Sequence, residues 1–287
     1  MSIFPTKVLL ATDDSGDSEL AATTAVSLAK NTDSEVHVVH VWRPVPSVHF
    51  DALIRQEMSR EAQEILDAQV KKIEGLGATV TEVHLREGDA SEEIVALAAE
   101  IGVGLAAVGS RGRGRIRRLL VGSVSDAVVR HAHCPVVVAR WKPVAFPAKI
   151  LLATDGSEEA TLATQTATDL GERTGSELHV VHVGEIPPTH YPDRYGYRAL
   201  YEEDEREARQ LLEAQIEKMK ATGATVAQAH LSIGRADEEV VVLAEDLGVD
   251  LIAMGGRGLG GVRRALIGSV SDSVARHAHC PVLVARK

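Results

Sequence analysis

Short apolar runs alternate along the chain with longer stretches in which apolar residues return every three to four positions, and the whole alternation occurs twice. In the first half the runs at 8–11, 35–41, 79–85, 105–108 and 136–139 read as strands. Between them, 17–30 reads as a helix, and so does a long segment with Leu53, Glu57/Met58, Ala62, Ile65, Leu66 and Ile73 on one stripe, closed by Gly75 and Gly77. Asp89 followed by Glu92 has the spacing of a capping box for a third helix ending at Gly102, and a last helix is expected at 123–131.

The second half repeats this order. Residues 7–13 (KVLLATD) return at 149–155 (KILLATD), and 117–140 differs from 263–286 at only five of twenty-four positions. The middles have diverged. Two prolines within 141–147 deny donors to a continuing helix or central strand, which places a joint there and divides the chain into domains 1–142 and 147–287.

Five strands separated by four helices imply an α/β fold. Parallel neighbours need crossover connections, and right-handed crossovers lay helices on both faces of the sheet. Each half is thus expected to be a doubly wound five-stranded parallel sheet of strand order 3-2-1-4-5. In such a sheet a ligand sits beyond the carboxyl ends of strands one and four, where the winding reverses. Those ends are Asp13 and Gly109 in the first copy.

A segment at that edge carries chemistry. Gly109-Ser-Arg-Gly112 is followed after nine residues by Gly122-Ser123, and Gly255-Gly-Arg-Gly258 after nine residues by Gly268-Ser269. Glycines let main-chain N–H groups approach a phosphate, and a helix beginning at Ser123 or Ser269 offers unpaired N–H groups and a positive dipole end. The plainer reading is a glycine-rich turn before a capped helix, since Ser123-x-x-Asp126 and Ser269-x-x-Asp272 have capping-box spacing. Two copies at the same edge favour phosphate. Neither the Walker P-loop nor the dinucleotide G-x-G-x-x-G spacing is present.

A formal net charge of −10 argues against broad nucleic-acid or membrane binding, although Arg111, Arg113, Arg115, Arg117 and Arg118 make a local exception. No stretch approaches the length of a bilayer-spanning apolar run, and the N-terminus lacks a secretory layout, so a cytoplasmic protein is expected. The two cysteines, Cys134 and Cys280, occupy matching places and suit free thiols in a reducing compartment.

The spaced glycines, the Ala-Thr-Asp ending of the first strand and the closing His-Cys-Pro-Val segment make each half resemble a universal stress protein domain of the ATP-binding class, over 6–140 and 148–286. That resemblance implies ATP with Mg²⁺ as ligand. It implies Asp13 and Asp155 on the ribose or adenine side, and Val41 and Val183 against adenine. Gly109, Gly112, Gly122, Ser123 and Ser125 would wrap the phosphates, as would Gly255, Gly258, Gly268, Ser269 and Ser271. It further implies dimers through the last strand, formed within the chain by a tandem member, with a homodimer of the whole chain also open. The apolar strands 136–139 and 282–285 would be edges that invite such pairing.

Asp13 and Asp155 could instead cap helices, and Asp14, which is Gly156 in the other copy, reads as a solvated loop residue. Arg111 and Arg257 are candidate phosphate clamps, because Arg113 and Arg115 become Leu259 and Gly261 in the second copy. His131, His133 and Cys134, with His277, His279 and Cys280, suggest zinc, but cysteine before proline at the mouth of a strand fits a small buried apolar residue better, and no metal site is expected. His37, His40, His179 and His182 lie among apolar neighbours and read as satisfied core or rim histidines. No catalytic constellation is apparent, so any ATP hydrolysis should be slow. The expected role is an ATP-binding regulatory protein of the stress response; a slow ATPase or adenylating enzyme, and a scaffold acting through its dimer surface, are the alternatives.

Overall fold

A computed structural model describes residues 4, 6–44, 52–112, 122–140, 148–184, 197–258 and 267–286, with side chains from 202 onward in the segment that begins at 197. The chain divides into two compact units. The proline-bearing joint at 141–147 and the arginines 113, 115, 117 and 118 lie outside the described residues.

The first unit runs β1 (Lys7–Ala11), α1 (Gly16–Thr32), β2 (Glu35–Trp42), α2 (Ala52–Gly75), β3 (Val80–Glu87), α3 (Ala90–Glu100), β4 (Leu105–Gly109), α4 (Ser123–His131) and β5 (Val136–Ala139). Every pairing among its strands is parallel: β3 with β2, β2 with β1, β1 with β4 and β4 with β5. The order is therefore 3-2-1-4-5, as the alternating pattern requires. The second unit runs β6 (Lys149–Ala153), α5 (Glu158–Thr174), β7 (Glu177–Gly184), α6 (Tyr197–Ala221), β8 (Gln228–Ile233), α7 (Ala236–Leu247), β9 (Leu251–Gly255), α8 (Ser269–His277) and β10 (Val282–Ala285). Its strands pair in the corresponding order, also parallel.

The continuous apolar runs are explained by burial on both faces. Leu9, Leu10 and Leu105 in the first unit and Ile150, Leu151, Leu152 and Leu251 in the second are fully buried on central strands. Each such side chain contributes about 1.5–3 kcal/mol by leaving water. Leu28, Leu66, Ile73 and Leu97 supply the helical side of the first core.

Two expectations are corrected here. The core stripe of α2 begins at Ala62, not Leu53: Leu53 and Ile54 are exposed, and the buried positions are Ala62, Leu66, Gln69 and Ile73. The stripe keeps its helical spacing but passes through a glutamine, which an apolar count skips. Nor does Ser123 cap its helix. The N-cap is Gly122 (φ −73°, ψ 153°), which has no side chain to cap with, and Asp126 instead accepts from Arg130 one turn on at 2.9 Å. Gly268 and Asp272 repeat both features. By contrast Asp89 does cap α3, accepting from Ser91 and Glu92 main-chain N–H groups.

Candidate functional site

The switch point is built from the end of β1. Thr12 N–H donates to Val39 O at 2.9 Å, extending the β1–β2 ladder by one residue before the chain turns away. Asp13 then folds its carboxylate over the turn: Oδ1 accepts from Ser15 N at 3.1 Å and from Ser15 Oγ at 2.5 Å. The α1 cap is Ser15, whose Oγ accepts from Ser18 N. Asp13 is thus not the cap; it lies two residues before it, just past the end of β1. Asp155 and Ser157 repeat the arrangement, with Ser157 N donating to Asp155 Oδ1 at 3.0 Å.

The glycine loop closes on this turn. A Cβ placed on Gly112 would lie 2.5 Å from Asp13 Oδ2, and one on Gly258 would lie 2.5 Å from Asp155 Oδ2. The cap serines lie against the loop from the other side, Ser157 Oγ donating to Arg257 O at 3.2 Å and Ser15 Oγ, whose proton goes to Asp13, lying 3.3 Å from Arg111 O. The structure therefore brings together Asp13 and Gly112, and Asp155 and Gly258, residues far apart in the sequence of each copy.

The remaining glycines divide. Gly109 and Gly255 allow the ends of β4 and β9 to press against the first turns of α1 and α5: a Cβ on Gly109 would stand 2.7 Å from Asp17 main-chain atoms, and one on Gly255 2.7 Å from Ala160 N. Their requirement is a packing one. Gly122 and Gly268 spend their N–H groups on protein, donating to Ser110 O and Gly256 O at 2.7 Å. Ser125 Oγ donates within reach of Ser110 O and Gly122 O, and Ser271 Oγ within reach of Gly256 O and Gly268 O. These buried hydroxyls latch the helix start to the strand end. The groups directed outward are the N–H groups of the first helical turn, beginning at exposed Ser123 and Ser269, behind a cap that has no side chain.

Arg111 and Arg257 differ. Arg111 is exposed, while Arg257 pairs with Glu159, its Nε 2.8 Å from Oε1. In the first copy the residue matching Glu159 is Asp17, which accepts from Ser110 Oγ at 2.6 Å; Gly256 has no hydroxyl to offer there. Val41 and Val183 are half-buried on β2 and β7, two residues past the last pairs with β1 and β6.

Sequence reasoning missed a supporting layer. Asp14 is not merely solvated: it holds a left-handed φ of 61° and accepts from Gln69 Nε2 and Lys72 Nζ. Gly156 holds φ 78° at the matching position, so the backbone demands the conformation and each copy meets it differently. Comparing Asp14 with Gly156 carried that signal, since Asp and Gly share tolerance of the left-handed region. His40 and His182 are satisfied, each with Nδ1 2.8 Å from the carbonyl of Thr12 or Thr154. Cys134 is buried, and burial pushes its thiol up to about 11. Among the described residues, the His131–Cys134 segment and its copy do not gather a metal-ligand set.

Residues 5–140 and 148–286 each match the Universal stress protein family. The chain belongs to that family. It is 29% identical over 294 residues to a universal stress protein of Mycolicibacterium smegmatis, covering 97% of this chain and 96% of the relative. A universal stress protein of Mycobacterium tuberculosis is 27% identical over 297 residues, covering 98% and 96%. The crystal structure of a universal stress protein from Archaeoglobus fulgidus superposes with a TM-score of 0.74 at 29% identity, covering 98% of each chain. The tandem of two such domains is thus shared over full length. No helix among the described residues is long and apolar enough to cross a membrane.

Proposed function

We propose that each domain binds ATP with Mg²⁺ and that the protein is a two-site nucleotide-responsive regulator of the stress response rather than a fast catalyst. Membership of the family sets the frame. The observation that carries the reading to these residues is the closure of Gly112 on Asp13 and of Gly258 on Asp155, made twice by loops whose middles have diverged.

In this reading the Asp13 and Asp155 carboxylates take the ribose hydroxyls, and Val41 and Val183 flank the base. The phosphates lie across the Gly112 or Gly258 loop against the uncapped first turn of α4 or α8, where Ser123 and Ser269 are exposed. Gly109, Gly122, Ser125 and their counterparts act by shaping this cradle from behind, through the packing and hydrogen bonds already given. Mg²⁺ would neutralise the triphosphate. Arg257 is held back by Glu159, so the second site offers its cation less readily than exposed Arg111.

Freshly purified protein, denatured in acid and analysed by mass, should release adenine nucleotide at up to two per chain. Protein that releases none, and that gives no heat on titration with Mg-ATP, overturns the reading.

A further inference from the structure

At the opposite end of β2 from Val41 a second cluster gathers in the first unit. The sequence carries Glu35-Val-His37 on β2 and Glu82-Val-His84 on β3, the same Glu-x-His on neighbouring strands. Side chains two apart on a strand share a face, and the parallel register sets His37 opposite Glu82 and Val39 opposite His84. Both histidines and Glu82 therefore meet on one face. His37 is buried, His84 half-buried and Glu82 reaches solvent.

Their donor atoms form a nearly equilateral triangle. His37 Nδ1 lies 3.5 Å from His84 Nε2 and 3.5 Å from Glu82 Oε2, and His84 Nε2 lies 3.6 Å from Glu82 Oε2. Three corners of a tetrahedron around zinc, with bonds of about 2.0–2.2 Å, are separated by ~3.3–3.6 Å. An octahedral magnesium face would need edges of ~2.9 Å and prefers oxygen throughout. Calcium, whose longer bonds would tolerate the spacing, takes six to eight oxygens.

The other nitrogen of His37 is also provided for. Nε2 lies 3.3 Å from Glu35 Oε2, and in the tautomer that carries its proton on Nε2 the carboxylate accepts that proton and Nδ1 presents a lone pair to the triangle. A carboxylate behind a ligating histidine orients the ring and raises its basicity. Arg86, on the same face of β3, brings a positive charge near, but its guanidinium is paired with Glu100 at 2.6 Å.

The geometry points to a binding site for one zinc-class divalent cation in the first domain, with His37 Nδ1, His84 Nε2 and the Glu82 carboxylate as ligands and the fourth position open to water. The second domain supplies its own comparison. His179 and His230 face each other at 3.2 Å with Glu177 behind His179, but the place of Glu82 is taken by Gln228, whose neutral amide lacks the charge that binds the ion. The first domain alone should therefore hold the cation tightly, independently of nucleotide at the far strand ends.

The test uses tag-free, chelator-washed full-length protein titrated with Zn²⁺ calorimetrically and with Co²⁺ by visible absorption. One equivalent of Zn²⁺ and the intense bands of tetrahedral Co²⁺ are expected. Glu82→Gln, at an exposed position that should not disturb folding, should abolish both, Glu35→Gln should weaken affinity about 10–100-fold, and Gln228→Glu should raise the stoichiometry to two. Absence of binding by the parent protein, or binding that Glu82→Gln leaves unchanged, overturns the proposal. So does binding with the weak spectrum of six-coordinate Co²⁺. Saturation with Mg-ATP should leave the stoichiometry unchanged.

Discussion

Gly112 is pressed against Asp13: the nearest atom to a Cβ built on the glycine is Asp13 Oδ2, at 2.5 Å, and the same distance separates Gly258 from Asp155 Oδ2. What any added side chain meets is the carboxylate of another side chain and not a backbone, so the fold can yield while the carboxylate cannot keep its place. Gly112→Val should leave the melting temperature within a few degrees of the parent and remove nucleotide from the first domain, halving the Mg-ATP stoichiometry in calorimetry. Gly258→Val should do the same in the second domain, and the double variant should bind none. Full stoichiometry in the single variants would separate the carboxylate from the ligand.

Gln69 supports this edge from beneath. It is almost fully buried, its Oε1 within 3.3 Å of Thr12 Oγ1 and its Nε2 donating to Asp14. Gln69→Leu keeps the helix and roughly the volume but takes from the buried Thr12 hydroxyl its partner on α2, at a cost of about 1–3 kcal/mol. Urea denaturation of the variant should show that loss. Asp14 would at the same time lose the contact that supports its left-handed backbone, so Asp14→Gly introduced alongside should recover part of it, Gly156 being the natural precedent.

The architecture was legible because the double winding is written in alternation alone: strands buried on both faces appear as unbroken apolar runs such as 8–10 and 105–108, and the duplicated ends singled out the strand edge where Asp13 and Gly112 meet. Individual roles at that edge were less legible. Gly109, Gly112 and Gly122 look equivalent in the sequence, yet the first serves a strand–helix contact, the second a carboxylate and the third a main-chain hydrogen bond. Which of these a glycine serves depends on what approaches it: the first turn of α1 for Gly109, the turn before α1 for Gly112 and the carbonyl of Ser110 for Gly122. The His37, Glu82 and His84 cluster was hidden for a related reason, since its members lie on two strands and only the register joins them.

The cysteines should be inert while the protein is folded. Cys134 is buried and its thiol stands at about 11 against an ordinary 9.0. Iodoacetamide at pH 8 should label neither Cys134 nor buried Cys280 until denaturant is added. The raised value also fixes a sign. Folding favours the protonated thiol, so its contribution is fully present below about pH 9 and is lost as the pH rises from there toward about 11. Cys134→Ala, which has nothing to ionise, should show a shallower decline in stability over that window.

Gly109 separates stability from binding in the opposite sense to Gly112. A Cβ there would stand 2.7 Å from the main-chain carbon and oxygen of Asp17 and 2.9 Å from Ser18 N, at the first turn of α1. Neither partner is a side chain that can swing away. The carbonyl oxygen of Ser15 accepts from Glu19 N, and Ser18 N is bonded to the Ser15 hydroxyl, so moving the turn disturbs the cap as well. Overpacking of this kind costs about 1–3 kcal/mol, and loss of the cap about 1 kcal/mol more. Gly109→Ala should therefore lower the denaturation midpoint of the first domain, seen as a separate earlier transition beside an unshifted second one, and Gly255→Ala should reverse which domain melts first. If Gly109→Ala instead left both transitions in place and removed nucleotide alone, the glycine would be a ligand-contacting residue and the packing role assigned to it would be wrong.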